Sequence, residues 1–494
     1  MKTECIKRDY EFKALNRRKV VGKFDGGMIA TDGGGLLLRE VEDRFGIIGR
    51  FAECFTDHRN PDLIEHTVEQ LLAQRIYGLA LGYEDLCDHD KLRHDQLLAT
   101  LVGKKDPTGQ DRQQGRDSGK ALAGKSTLNR LELTGEKVDP KNRYRKIVAD
   151  QESLERFFVE AFLGLREATG GGAAPKRIVL DLDATDDPLH GDQMGKFFHG
   201  YYKHYCYLPL YIFCGDDLLC ARLRPSNIDA AAGALEDVKR IVAQIRERWP
   251  EVRIVLRGDS GFCREEIMAW CEEDEQEGVE YLFGLAKNSR LKEILAGALA
   301  QAKAMHEETG HASRVFKDFR YKTLKSWSSE RRVVGKAEHL SKGANPRFVV
   351  TSISSGEIDA RTLYEKEYCA RGEMENRIKE QQLDLFADRT STHWMRSNQL
   401  RLWLSSVAYV LVNALRTFGL IGTDMSRAQC GTIRERLLKI GAQVKVSVRR
   451  VLVSLASGCP FQEIFEQVWE NLRRFRPDHW RCFRSAPLSV PQRC

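Results

Sequence analysis

Residues 177–187, RIVLDLDATDD, constrain this chain more than any other stretch. Their short aliphatic run, free of Gly and of Pro, is that of a strand buried on both faces. It carries acids at Asp181 and Asp183. The aromatic segment KFFHGYYKHYCYLPLYIF and then LLCARLR read as strands two and three, a hairpin turning at Gly215 and Asp216. Asn227 or Asp229 is placed to cap a long helix, AAAGALEDVKRIVAQIRERW. A strand VRIVLRGD, a helix REEIMAWCEED and a strand VEYLFGLA complete the order β-β-β-α-β-α-β. That order predicts an α/β fold.

The flanks differ from this core. Residues 1–170 read as a mostly helical, DNA-binding region, with Thr67 and Gln70 forming a capping box ahead of VEQLLAQRIYGLALG. Between 103 and 124 the chain turns polar and rich in Gly, Lys, Arg and Gln, a loop or flexible nucleic-acid contact. STLNRLELTG then forms a short helix, with Lys125 and Arg130 as candidate DNA contacts. TGGGAAPK marks a boundary, so 171–287 is the first part of the core. Residues 288–355 alternate in SRVFKDFRYKTL, RRVVGKAEHL and RFVVTSI, which predicts an antiparallel β insertion. Residues 356–420 return to the core with a charged helix over about 359–385 and apolar helices after it.

Charge singles out the last segment, 421–494. Residues 401–494 hold 15 Lys and Arg against 6 Asp and Glu, while the first 400 carry a net −2. This basic excess points to a polyanion. Val444, Val446 and Val448 alternate with Lys445, Ser447 and Arg449, so one strand face is apolar. Lys445, Arg449 and Arg450 are candidate phosphate contacts, the other reading being a solvated edge protected by charge. The 13 cysteines include no CxxC pair, and the charged start MKTECIKRDYEFK has no apolar leader. Both features suggest a reduced, cytoplasmic protein. The longest uncharged apolar run, 402–415, is shorter than the ~18 residues of a membrane span.

Three acids carry the candidate chemistry. Asp183 and Asp259 end the first and fourth strands, where parallel sheets bind ligands. Glu375 lies on the late helix YEKEYCARGEMENRIKEQQ. Acids packed together favour hard divalent cations, although a strand-terminal Asp is as often a cap or turn residue. Tyr368, Arg371 and Glu375, at offsets of 3 and 4, share one helix face, which alone would fit a solvated helix with internal ion pairs.

Together these residues resemble a DDE transposase of bacterial insertion sequences, in the group with a Y-x2-R-x3-E-x6-K signature and closest to the IS thirteen-eighty-like subgroup. Tyr368, Arg371 and Glu375 match three signature positions. The fourth, where Lys is expected, is Gln382, with Lys379 half a turn earlier. Asp183-Ala184-Thr185 matches the family's first acid, and Asp259 in LRGDSGF its second. The resemblance implies an RNase H-like core with a β-rich insertion before its last catalytic helix. It implies that Asp183, Asp259 and Glu375 bind two Mg²⁺ or Mn²⁺ ions, for cleavage and strand transfer at transposon ends. Tyr368, Arg371, Lys379 and Gln382 would contact DNA. The implied partners are double-stranded terminal repeats and target DNA, bound by a homodimer, in the bacterial cytoplasm at the nucleoid.

Other signals compete. An RNase H-like nuclease without strand transfer would use the same acids, and a DNA-binding regulator would keep the core without its chemistry. IVLDLDAT also fits the nucleophile motif of haloacid-dehalogenase-like phosphatases, with Asp181 as nucleophile and Asp183 as acid/base. GKALAGKS satisfies the P-loop pattern, but the polar PTGQDRQQGRDS before it cannot be the buried strand that a phosphate cradle requires. Gly33 to Gly35 more simply start a helix. The Cys and His residues of the aromatic hairpin fit no zinc spacing.

Overall fold

The computed structural model describes residues 9–133, 141–142, 146–169 and 173–475. The described residues divide into two compact units, one formed by those before Ala149 together with 414–475, the other by those of Ala149–Asn413.

The second unit is built on a nine-stranded mixed sheet. Its strands are β1 Arg177–Ala184, β2 Leu210–Cys214, β3 Asp217–Arg222, β4 Arg253–Gly258 and β5 Val279–Leu285. Further along the chain come β6 Ser313–Tyr321, β7 Arg331–Leu340, β8 Gly343–Ala344 and β9 Arg347–Thr351. Across the sheet the order is β3-β2-β1-β4-β5-β9-β7-β6, with β8 on the end of β7. The β1–β4 and β4–β5 pairs are parallel, and β2 runs antiparallel to β1. This is the β-β-β-α-β-α-β order expected from the sequence.

Strand period explains the two faces. Ile178, Leu180 and Leu182 of β1 and Ile254 and Leu256 of β4 pack with Val238, Ile241 and Ile245 of helix α2, Ala234–Arg248. Val159, Phe162 and Leu163 of helix α1, Gln151–Thr169, join the same core. Each such side chain contributes about 1.5–3 kcal/mol on burial. On the other face Val255, Leu282, Val334 and Val349 pack with Leu363 and Tyr364. Those two residues belong to a helical run over 360–384, capped by the Asp359 carboxylate, which accepts from the Arg361 and Thr362 amides.

Three local expectations change. Neither Asn227 nor Asp229 caps α2; Gly233, at φ 74°, precedes it, while Asp229 accepts from the Ala231 amide at 2.9 Å. The aromatic segment is not one strand. Phe197–His199 and His204–Tyr207 join Asp187–Pro188 in a separate three-stranded sheet before β2 begins. The segment after Asn288 opens with helices Ser289–Ile294 and Ala296–Thr309, not with strands. Its Ala- and Leu-rich composition favours helix, and Asn288 accepts from the Leu291 amide as a cap. Its strands then rejoin β5 through β9, Leu282 opposite Thr351, so they widen the core sheet.

In the other unit the expected capping box of Thr67 and Gln70 starts helix Val68–Ala80. Ala442–Val446 and Val451–Leu455 form a hairpin, and Ile29–Ala30 pairs with its first strand. Gly33 to Gly35 do lead into a helix, Gly35–Phe45. A Cβ on Gly34 would lie 1.8 Å from the Leu437 carbonyl oxygen, so only glycine lets these backbones meet. Before Gly119 stand helix Gln96–Leu101 and a single tight turn at Gly115–Asp117, not a strand, which removes the P-loop reading. Among the described residues no helix is long and apolar enough to cross a membrane.

Candidate active site

The site is built on the rungs between β1 and β4. Val179 pairs with Val255 and Asp181 with Arg257; the last pair is Leu182 with Gly258. One step further, Asp183 and Asp259 lie just past the β1–β4 ladder, Asp183 still paired with Tyr211 of β2. Odd-numbered positions share the face that the helical run covers, so two acids, an ion pair and an apolar pair are stacked along one groove.

Arg257 holds the middle rung. Its Nε and Nη2 donate to the two Asp181 oxygens at 2.5 and 2.8 Å, and both side chains are buried. Its Nη1 donates to the Glu367 carbonyl. Arg177 donates to the Glu367 carboxylate at 2.8 Å. Glu367 therefore ties the helical run to the sheet by both backbone and side chain, one residue before Tyr368. The run changes pitch here: π-helical over Leu363–Tyr368, tight over Cys369–Arg371, α-helical over Gly372–Lys379 and π-helical again over Glu380–Asp384. Such turns loosen the backbone ladder, and Arg257 supplies a donor where it loosens.

Asp183, Asp259 and Glu375 are close enough to feel one another. Burial pushes the Asp183 carboxyl up most; Arg371 draws it down, and Asp259 and Glu375 push it up further, to about 7. Burial works to lower the Arg371 pKa, but the surrounding Asp183, Tyr368, Glu375 and Asp259 raise it overall. Arg371 donates to Glu375 at 2.9 Å, the expected one-turn pair. Asp183 accepts from the Ala184 amide and Asp259 from the Gly261 amide at 2.7 Å. Tyr368 reaches the sheet over Gly284, where a Cβ would stand 2.6 Å from its hydroxyl.

Among the described residues no three His, Cys, Asp or Glu side chains converge closely enough to form a metal cage. The acids nevertheless suit a hard divalent cation in kind. All donors are carboxylate oxygens, and Asp183, raised first by burial and then by the Asp259 and Glu375 charges, is a carboxyl whose ionised form a cation would favour.

The remaining sequence candidates are spread out. Gln382 donates to the Asp186 carbonyl at 3.0 Å, fastening the helical run to the loop after β1, while Lys379 is exposed. In the other unit Lys125 pairs with Asp90 at 3.2 Å. Arg130 shares a cavity with Arg59 and Lys146. Lys445, Arg449 and Arg450 are exposed on the C-terminal hairpin and its turn. Sequence reasoning missed Arg257 and Glu367. The signal was present: an arginine inside a buried strand requires an acid partner, and Arg257 precedes Asp259 by the same two positions as Asp181 precedes Asp183.

A family profile described as transposase DDE domain group 1 matches residues 12–477. The chain belongs to this family. A comparison with curated proteins gives no match. In this transposase domain both Asp181 oxygens are engaged by Arg257, which leaves no free carboxylate for the phosphatase-type nucleophile.

Two outcomes follow from the geometry. Arg257→Ala or Asp181→Ala strands a buried charge and should cost about 3–5 kcal/mol. Arg257→Lys keeps the charge but not the two-pronged geometry. Denaturant unfolding measures both, and a joint Asp181→Leu, Arg257→Leu variant should lose less than the two Ala variants combined. In EDTA, the folded Asp183 carboxyl holds its proton up to about pH 7, whereas an unfolded Asp releases it near 4. Folded-state stability from this group is thus lost as pH rises through that window. Asp183→Asn should melt at least about 2 °C above wild type at pH 8, with the gap closing toward pH 4. A gap independent of pH would contradict a carboxyl raised by burial and by its acidic neighbours.

Proposed function

We propose that this chain is the transposase of an insertion sequence, of the IS thirteen-eighty-like subgroup, cutting phosphodiester bonds at transposon ends and transferring the cut strands. The observation that carries this reading is the meeting of Asp183 and Asp259, at neighbouring parallel strand ends, with Glu375 on the overlying helical run. The antiparallel β2 and β3 beside parallel β1, β4 and β5 support an RNase H-like core.

Asp183, Asp259 and Glu375 would hold two Mg²⁺ or Mn²⁺ ions, which supply nucleophile activation and stabilise the leaving oxygen when bound. The chain's own groups prepare that site. Arg371 keeps Glu375 turned toward the two aspartates and offers a cation to the scissile phosphate. Tyr368, seated over Gly284, lines the approach to Asp259. Lys379 faces solvent and takes the phosphate contact that the signature assigns to its Lys, while Gln382 braces the run against Asp186.

In the other unit Lys125, Arg130, Lys445, Arg449 and Arg450 contact the backbone of double-stranded end and target DNA. Joining two ends calls for a homodimer assembled on DNA, at the bacterial nucleoid.

Replacing Asp183, Asp259 or Glu375 with Ala should lower Mg²⁺-dependent cleavage of end DNA by at least about 10²-fold while preserving binding. Asp181→Asn should keep a measurable fraction. A plasmid carrying the gene and its flanking DNA serves as substrate. Nicking without joined products would leave the nuclease reading in place of the transposase. Arg449→Glu with Arg450→Glu should flatten the slope of log K against log salt by about 0.9 for each phosphate no longer neutralised. An unchanged slope would reduce both to a solvated turn.

A further inference from the structure

Between β1 and β2 the chain leaves the sheet at its acid-bearing end and forms the small sheet of Asp187–Pro188, Phe197–His199 and His204–Tyr207. The base of this sheet is fixed. Buried Asp187 accepts from the Thr390 hydroxyl at 2.9 Å, and the Tyr207 hydroxyl donates to the Met194 carbonyl at 2.6 Å. Tyr202 donates to the carbonyl of Ala184, the residue after Asp183. His204 Nε2 lies 2.7 Å from the Asp186 carboxylate.

The tip is built differently. Tyr201 is 82% exposed, Phe198 57% and Tyr205 50%. The loop 200–203 is closed by the Lys203 amide donating to the His199 carbonyl at 2.8 Å. Lys203 holds φ 60°, a left-handed conformation that side-chain-bearing residues seldom adopt. The ring of Tyr201 meets that of Tyr202 edge-on, and Lys196 lies over the Tyr205 ring. The formally charged residues of 196–203 are Lys196 and Lys203, both positive.

Exposed rings beside ammonium groups match a single strand of nucleic acid, whose bases stack on the rings while its phosphates meet the cations. Paired bases hide their faces inside the duplex, so such a tip engages bases that are unpaired or turned out of the stack. We propose that Phe198, Tyr201 and Tyr205 form a stacking platform for unpaired bases of the DNA strand presented to Asp183. Tyr201 is its leading ring. The assignment rests on the transposase reading and names the form of DNA that the site takes.

The full-length protein in EDTA is titrated with labelled dT20 and with an abasic deoxyribose-phosphate oligomer of the same length. Tyr201→Leu and the Phe198→Ala, Tyr201→Leu pair should bind dT20 about tenfold or more weakly and the abasic oligomer unchanged. Tyr201→Phe should bind dT20 as wild type does. Unchanged dT20 affinity, or an equal loss on both probes, would overturn the platform. Incubating wild type with Mg²⁺ and the plasmid carrying the gene separates the two proposals. Cutting together with unaltered dT20 binding by Tyr201→Leu removes the platform alone. Base-dependent binding without cutting keeps the platform and removes the transposase reading.

Discussion

The buried Arg257–Asp181 pair is the interaction on which the site depends. Two charges taken from water are costly, and their attraction offsets that cost only where geometry is good and the spare donors are used. Here both Asp181 oxygens are met by two guanidinium nitrogens, and the third nitrogen reaches the Glu367 carbonyl. A leucine pair would fill the same space without cost, but it could not hold a backbone carbonyl of the helical run. The ion pair joins β1, β4 and the run that carries Glu375.

Along the groove the rungs pass from apolar to neutralised to acidic: Val179 with Val255, Asp181 with Arg257, then Asp183 beside Asp259. Charge is thus compensated within the sheet and left unbalanced at its mouth, where Arg371 is the neighbouring cation shared among the acids. The Asp183 carboxyl is raised first by its burial and then by the Asp259 and Glu375 charges at this mouth. Sheet regularity produces the gradient of charge without any special loop, since a two-residue period repeats the same offset on both strands.

Much of this arrangement is legible in the sequence. Asp183 and Asp259 end aliphatic runs that can only be strands, the Gly215–Asp216 turn is where β2 meets β3, and Tyr368, Arg371 and Glu375 are spaced for one helix face. What escapes a local reading is set by partners far along the chain. Arg257 looks like one basic residue among many until Asp181 stands opposite it. The alternation that follows residues 289–309 predicts strands there too, but their own Ala and Leu content decides for helix. The aromatic segment is cut into three pieces because Asp187 pairs with Tyr207, a contact that no periodicity encodes. Likewise nothing near Ala30 announces that its strand partner is Ala442.

The inserted strands have a consequence for how this protein comes into being. Because they lie between β5 and the helical run, Glu375 is synthesised 116 positions after Asp259. At about 5–20 residues per second, the ribosome needs roughly 6–23 s to cross that gap. During this interval the nascent chain already carries two of its acids, but the groove above them has no cover and the third acid does not exist. A chain released early has a strand pair without the segment that completes it. The topology therefore makes translation past Glu375 a condition for bringing Asp183, Asp259 and Glu375 together, so a fragment that ends earlier lacks their meeting.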